Sequence, residues 1–437
     1  MRRRTVLCCL SLWLTLAPCL LAAEPGYQLL VETDPPEAMY TVGQPAKFLV
    51  TLKRGDEPVS EADLICRLDE DGVPPVTEQK LTLDKGTARI EGTLDEPGFL
   101  RCRVSWAGPD KQVLTATAGA AFDPHEIPPS LPVPDDFDSF WSQQKARLAS
   151  VPMESKLAPV TSPVDGIECF DTEISCVPPR PVRGYFARPT GAAPQSLPAI
   201  LLVHGAGVRS SSLGGAAGSA KRYQALAMDI NAHGIANGQP DAFYQELAAG
   251  ELRDYRTAGR EDREKCYFLG MFLRLVRAME FLTSQKEWDG KVLIVKGSSQ
   301  GGGQAIAAAG LDSRVTLISA GVPAICDHSG QAAGRINGWP KLVPQANGQP
   351  DPQILQVARY FDSMNFATRA TAEAIFSVGF IDGTCAPTSV YAAYNNIPGK
   401  KRMINEPLMG HAVSPRFERA TEAAILEHLA AKKGQPQ

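Results

Sequence analysis

The proline-rich stretch Asp123–Pro134, DPHEIPPSLPVP, separates two hydrophobic rhythms that no single layer architecture accommodates. Upstream, from Tyr27 to about Phe122, the short runs YQLLVET, AKFLVTL, ADLICRL, QKLTL, ARIEGTL, FLRCRVSW and KQVLTATA recur about every ten residues, punctuated by GDEP, DEDG, DKG and GPD. Alternation with period two gives each strand one apolar and one wet face, and strands at this spacing predict an immunoglobulin-like β-sandwich. Downstream, AILLVH, YQALAMDI, KVLIVKG, VTLISAGVP, AEAIFSVGFID and KKRMINEP are strands without a polar face, and most are followed by a helical pattern. The predicted helices are REKCYFLGMFLRLVRAMEFLTSQ, GGGQAIAAAGL, TSVYAAYNNI and ERATEAAILEHLAAKK. Such strands need cover on both sides, which predicts a mostly parallel sheet between helices. The stretch between the two rhythms holds too much proline for a helix or a central strand and is read as a stiff linker.

The N-terminus carries a different signal. MRRR is a basic start, VLCCLSLWLTLAPCLL an apolar core, and Leu21-Ala22-Ala23 a small-residue cleavage site before Glu24. The expected organisation is therefore a signal peptide at 1–23, a sandwich at 24–122, the linker at 123–134 and an α/β unit at 135–437, in an exported protein, secreted or periplasmic. Leu16-Ala17-Pro18-Cys19 puts a cysteine near a lipid-attachment position, but a proline just before it fits such a site poorly. The first apolar run is short and interrupted by Pro18, and no later segment is long and apolar enough to span a bilayer, so no stable membrane span is expected. With 44 Lys+Arg against 48 Asp+Glu there is no basic footprint for a nucleic-acid partner. Seven cysteines remain beyond the signal, an odd number, and Cys66 with Cys102 is the plausible bridge inside the first domain. No CxxC, CxxH or HExxH spacing points to a metal, and no cofactor is expected.

The chemistry is concentrated at the ends of the downstream strands. Gly297-Ser298-Ser299-Gln300-Gly301 fits GxSxG, the sharp strand-to-helix turn that lifts a serine hydroxyl above a sheet. It stands after VLIV and before a glycine-and-alanine helix, as that turn requires. A serine hydroxyl needs a base, and the base needs a carboxylate to fix its tautomer. In this architecture the chain order is serine, acid, histidine. His411, in the loop EPLMGHAVSP after the last strand, is the expected base, whereas His428 lies within the final helix. Asp382 ends IFSVGFID and is the expected acid, with Asp327 as the alternative because it also follows a strand; Asp312 and Asp362 lie where helices should end. For the oxyanion, the expected backbone donors are Gln300, the residue after the nucleophile, and Ala206 in the His204-Gly205-Ala206-Gly207 loop. His204 is expected to be structural.

With these residues placed, the chain from about Asp135 to Leu429 resembles the carbohydrate esterase family of acetyl xylan esterases and cephalosporin C deacetylases, of the α/β hydrolase superfamily. DFDSFW, LAMDI, VRAMEFL, GSSQGGGQAIAAAGLD, GVPAICD, YFDSMN and SVGFIDGTCAPTSVYAAYN carry the likeness in order. The resemblance implies the same triad, Ser299, Asp382 and His411, and the removal of acetyl groups from sugar hydroxyls, with acetylated carbohydrate as substrate and homo-oligomers as a possible assembly. The chain departs from the family's pattern at three places. It has Asn231-Ala232-His233 for the usual Arg-Gly-Gln, His411-Ala412 for His-Glu, and Ala206 for a common tyrosine. The N-terminal sandwich and SSSLGGAAGSA also stand outside that pattern.

Two other readings compete. The same triad could serve a peptidase or a dienelactone-type hydrolase, since a fold does not set a substrate, or the chain could be a non-catalytic carbohydrate-binding relic. Trp339, Tyr360, Phe361 and Phe366, in the segment 324–371 that interrupts the alternation, could roof the pocket and stack on sugars or simply pack. ELRDYRTAGREDREK is read as a solvated face, and the sandwich, which holds no acid, base and nucleophile together, as a spacer or docking module.

Overall fold

The computed structural model describes residues 26–109 and 111–433, so the expected signal peptide lies outside the described residues. The strands between residues 27 and 122 form two sheets. One joins Tyr27–Asp34, Ala46–Arg54, Glu57–Pro58 and Thr87–Gly92; the other runs Met39–Tyr40, Val113–Phe122, Gly98–Ala107, Asp63–Glu70 and Val73–Thr82. Their burial alternates as the sequence does. In Ala46–Arg54, Ala46, Phe48, Val50 and Leu52 are fully buried while the residues between them face outward. Cys66 and Cys102, on adjacent strands, are buried free thiols with their sulfurs 3.7 Å apart.

The rest of the chain builds one nine-stranded sheet. Its order is Ser155–Val160, Ile167–Ile174, Val182–Pro189, Leu226–Ile230, Leu197–Val203, Trp288–Ser298, Leu317–Gly321, Glu373–Gly379 and Lys401–Glu406. The last six strands of that order are parallel, and the first three pairings are antiparallel. Successive residues of the strand Leu197–Val203 take opposite sides. Ala199, Leu201 and Val203 join the cluster under the helices Tyr267–Ser284 and Gln300–Leu311, while Ile200 packs with Ile425 and Leu429 of the helix Pro415–Lys433. Both faces are therefore covered, as uninterrupted apolar strands require. Ala216, Ala217 and Ala220 bury the helix Leu213–Tyr223, which opens on a Ser212 cap and contains the glycine-rich stretch that set this chain apart in sequence. Among the described residues no helix is long and apolar enough to cross a membrane.

The proline-rich stretch is tied down along its length. It contains a 3-10 turn, Pro124–Glu126, and is strapped to the α/β unit instead of spanning a gap. Asn395 donates to the carbonyls of Pro124 and Ile127 at 3.0 and 2.9 Å, and Arg335 and Arg359 donate to those of Pro128 and Pro132. Prolines have no N–H to enter a ladder, so the carbonyls of this stretch are what a neighbouring unit can hold.

Candidate active site

The strand Trp288–Ser298 ends one residue before the helix Gln300–Leu311, and Ser299 between them has φ 56 and ψ −123, a conformation that side chains disfavour. The two framing glycines are sterically required. A Cβ on Gly297 would lie 2.5 Å from the Gly301 backbone, and one on Gly301 would lie 2.1 Å from the Val203 carbonyl oxygen. The turn is fixed by the Ser299 N–H donating to Gly321 and by the Ser299 carbonyl accepting from Gly303 and Ala324. Its strain is thus held by the neighbouring strands, and the hydroxyl is left half-exposed above the sheet.

His411 and Asp382 converge on that hydroxyl. His411 Nε2 is 2.9 Å from Ser299 Oγ, and His411 Nδ1 is 2.7 Å from Asp382 Oδ2. Asp382 is 1% exposed, and its other oxygen accepts the N–H groups of Thr384 and Cys385 at 2.8 and 2.9 Å. The carboxylate therefore orients the imidazole so that Nδ1 carries the proton and Nε2 faces the serine as an acceptor. Cys385 lies in the same cluster. Burial holds its thiol well above the usual range, so it stays protonated beside the pair.

The competing acids are engaged elsewhere. Asp327 is fully buried between Ser130 and Arg335. Asp312 pairs with Arg314 at the end of its helix, and Asp362 caps the helix Ser363–Ala367 while accepting the N–H groups of Asp327 and His328. His428 is buried against Thr316, 2.9 Å from its hydroxyl.

Gln300 opens its helix, where first-turn N–H groups have no intrahelical acceptor. The loop 204–209 lies alongside: a Cβ on Gly205 would be 3.5 Å from Ser299 Cβ, and Ala206 follows it. That loop is held by the three residues that replace the usual family motif. Asn231 donates to the Arg209 carbonyl, the Ala232 N–H donates to His204 Nε2, and His233 Nε2 donates to the Gly207 carbonyl at 3.1 Å. Since a carbonyl can only accept, each of these rings is confined to one neutral tautomer: His204 Nδ1 donates to Gly205, and His233 Nδ1 accepts from Tyr267. Desolvation lowers the His204 pKa to about 4 and that of His233 to about 3, so neither charges at neutral pH. Arg274 in turn donates twice to the Ala232 carbonyl.

The structure decides one alternative that the sequence left open and adds one residue to another reading. Tyr360, Phe361 and Phe366 are buried in a ring cluster with Phe137, Phe140 and Trp141, so they cannot roof a pocket; Trp339 alone is partly exposed, under the Arg256 guanidinium. The run ELRDYRTAGREDREK is solvated apart from Leu252 and Tyr255. Tyr255 reaches the nucleophile turn, its hydroxyl donating to Gln300 Oε1 at 3.1 Å. The signal for it was present: Leu252 and Tyr255 are the apolar pair in that run, three residues apart.

Known proteins resemble this chain over most of its length. The family model for acetyl xylan esterase (AXE1) matches residues 125–429, starting inside the proline-rich strap. The acetyl esterase Axe7A of Xylanibacter ruminicola is 29% identical over 377 residues, 85% of this chain and 84% of that protein. The acetyl xylan esterase of Paenibacillus sp. R4 superposes with a TM-score of 0.60 at 28% identity, covering 70% of this chain and 98% of that one. Acetyl xylan esterase 1 of Thermoanaerobacterium sp. JW/SL YS485, at 22% identity and a TM-score of 0.58 over 70% of this chain and 97% of that one, shares the fold. The chain belongs to the acetyl xylan esterase family and is a carboxylic ester hydrolase with an α/β hydrolase unit.

Proposed function

We propose that this protein is an exported serine esterase that removes acetyl groups from carbohydrate hydroxyls, such as those of acetylated xylan or its oligosaccharides, through an acyl-serine intermediate. The observation that carries the reading is the unbroken relay from Asp382 through His411 to Ser299, at 2.7 and 2.9 Å. His411 Nε2 takes the Ser299 proton as Oγ attacks the acetyl carbon, and Asp382 stabilises the imidazolium that results. The carbonyl oxygen becomes an oxyanion that accepts from the backbone N–H groups of Gln300 and Ala206, each worth about 3–4 kcal/mol of the barrier. Cleavage of the C–O bond to the sugar returns the proton from Nε2 to the leaving oxygen and leaves acetyl-Ser299. Water then repeats the sequence: His411 deprotonates it, it attacks the acyl carbon, and Ser299 departs with the proton as acetate is released. Every step uses side chains and backbone donors of this chain.

On this reading residues 1–23 are a signal peptide, and residues 24–122 are an immunoglobulin-like sandwich domain ahead of the catalytic unit. Two experiments test the function. Purified Ser299→Ala should lose hydrolysis of 4-nitrophenyl acetate and labelling by a fluorophosphonate probe; full activity in that variant would refute the mechanism. Acetate release from acetylated xylan, simple sugar acetates, longer acyl esters and peptides, measured side by side, tests the substrate class. Preference for a peptide or a long acyl chain would overturn it.

A further inference from the structure

The N-terminal unit has no acid, base and nucleophile of its own, yet it touches both loops that bring the relay together. The first contact is a cap. Asp71, in the tight turn between the strands Asp63–Glu70 and Val73–Thr82, has φ 54 and is 3% exposed. Its Oδ2 accepts the N–H of Thr388 at 3.2 Å and the Thr388 hydroxyl. Thr388 is the second residue of the helix Pro387–Asn395, whose own N-cap, Ala386, has no side chain able to accept. One N–H of that helix without an intrahelical acceptor is therefore served by a carboxyl oxygen from the other unit. Six residues upstream of Thr388 is Asp382, which itself holds the N–H groups of Thr384 and Cys385. The turn 382–388 is thus pinned at one end by the candidate acid and at the other by Asp71.

The second contact is steric. Gly119, in the strand Val113–Phe122, lies so close to Phe380 that a Cβ there would be 2.5 Å from Phe380 Cβ and 2.8 Å from its carbonyl oxygen. Phe99 packs edge-on against the same Phe380 ring at 5.0 Å. Phe380 is two residues before Asp382. The third contact reaches the other loop: the Gly119 N–H donates at 3.1 Å to the carbonyl of Pro407, four residues before His411. Within the α/β unit the two loops are joined by the Ile381 N–H, which donates to the Met409 carbonyl. A relay that works within a few tenths of an ångström needs its supporting loops fixed from outside, and here much of that support comes from one neighbouring unit.

We propose that the N-terminal unit completes the catalytic centre, with Asp71 and Gly119 as positioning residues that fix the loops carrying Asp382 and His411. The proposal rests on reading those two residues as acid and base. It sharpens the expectation of a spacer or docking module into a unit whose docking sets the turnover rate. The geometry also orders the contributions. Asp71 acts on the acid's loop through a hydrogen bond, whereas Gly119 acts on both loops through its lack of a side chain and its N–H.

The test uses the full-length protein and reads kcat per active site, the sites being counted by exhaustive fluorophosphonate labelling, at a temperature at least 10 °C below each variant's melting point. Asp71→Ala and Gly119→Ala should each lower kcat for 4-nitrophenyl acetate by ten- to a hundredfold, the scale of a misplacement near 1 Å, with KM within twofold. Asp71→Asn keeps an acceptor oxygen for Thr388 and should recover kcat to within about threefold of the parent. Thr388→Val removes the hydroxyl donor from the catalytic side and gives the same answer if Asp71→Ala does not fold. Normal kcat per site in Asp71→Ala, or in Thr388→Val, together with normal kcat in Gly119→Ala overturns the proposal, because a merely structural role would change only the melting point and the number of sites. Failure of the triad reading is separately visible, as activity retained in Ser299→Ala.

Discussion

Replacing Asp382 by asparagine should abolish turnover without unfolding the loop, for a reason visible in its hydrogen bonds. One carboxylate oxygen accepts the N–H groups of Thr384 and of buried Cys385 at 2.8 and 2.9 Å; the other meets His411 Nδ1 at 2.7 Å. Asparagine has only one oxygen. Turning it away from the two N–H groups would leave the buried Cys385 donor unpaired, at about 1–3 kcal/mol, and release the Thr384 N–H as well. The oxygen therefore stays on the loop, and the amide NH2 faces Nδ1. An NH2 can only donate, so Nδ1 must be unprotonated and the ring proton moves to Nε2. Nε2–H then points at Ser299 Oγ as a donor, and the serine has lost its base. The expected loss is about 10⁴ in kcat, or roughly 5.5 kcal/mol, with the melting temperature within about 3 °C of the parent. Aryl acetate hydrolysis and a calorimetric scan measure the two quantities. A kcat within tenfold of the parent would refute the tautomer argument, and a drop of 10 °C or more would refute the claim that the oxygen stays on the loop.

Other outcomes follow from single contacts. Tyr255→Phe removes the donor to Gln300 Oε1 and should lower kcat about fivefold, about 1 kcal/mol, in the same assay. Gly301→Ala places a Cβ against the Val203 carbonyl, where nothing flexible can yield, and should cost about 3 kcal/mol or more in denaturant unfolding. Gly218→Ala, in the helix Leu213–Tyr223 with open space around its Cβ, should instead stabilise by about 0.5–1 kcal/mol. His328 is fully buried with both ring nitrogens unpartnered, and desolvation lowers its pKa from 6.5 to about 3. Between those values the unfolded chain binds a proton that the folded chain does not, so this residue's contribution falls as pH drops below 6.5. Relative to the parent, His328→Met should gain about 2 kcal/mol between pH 7.5 and pH 5 in urea titrations, and a pH-independent difference would show that the ring titrates in the folded protein as it does in the unfolded chain.

What the sequence made legible is what depends on local spacing. The elbow needed a strand, a serine between two glycines and a small-residue helix, all contiguous from Val292 to Ala309, and chain order then led to Asp382 and His411. What stayed hidden depends on which distant segments meet. Nothing near Pro124 announces that Asn395 will take its carbonyl, so a strap read as a linker. Whether Tyr360, Phe361 and Phe366 roof a pocket or pack could not be read, because their partners Phe137, Phe140 and Trp141 lie more than two hundred residues away. Asn231-Ala232-His233 looked like the loss of a family motif, yet all three residues hold the loop 204–209 through groups that sequence does not pair. A neutral imidazole at His233 donates to the Gly207 carbonyl, while Tyr267 and Arg274 on the long helix supply the remaining partners. A motif departure therefore weighs little against a site when the hydrogen-bonding task it leaves is met by other residues, and it weighs heavily only where the reacting atoms themselves change.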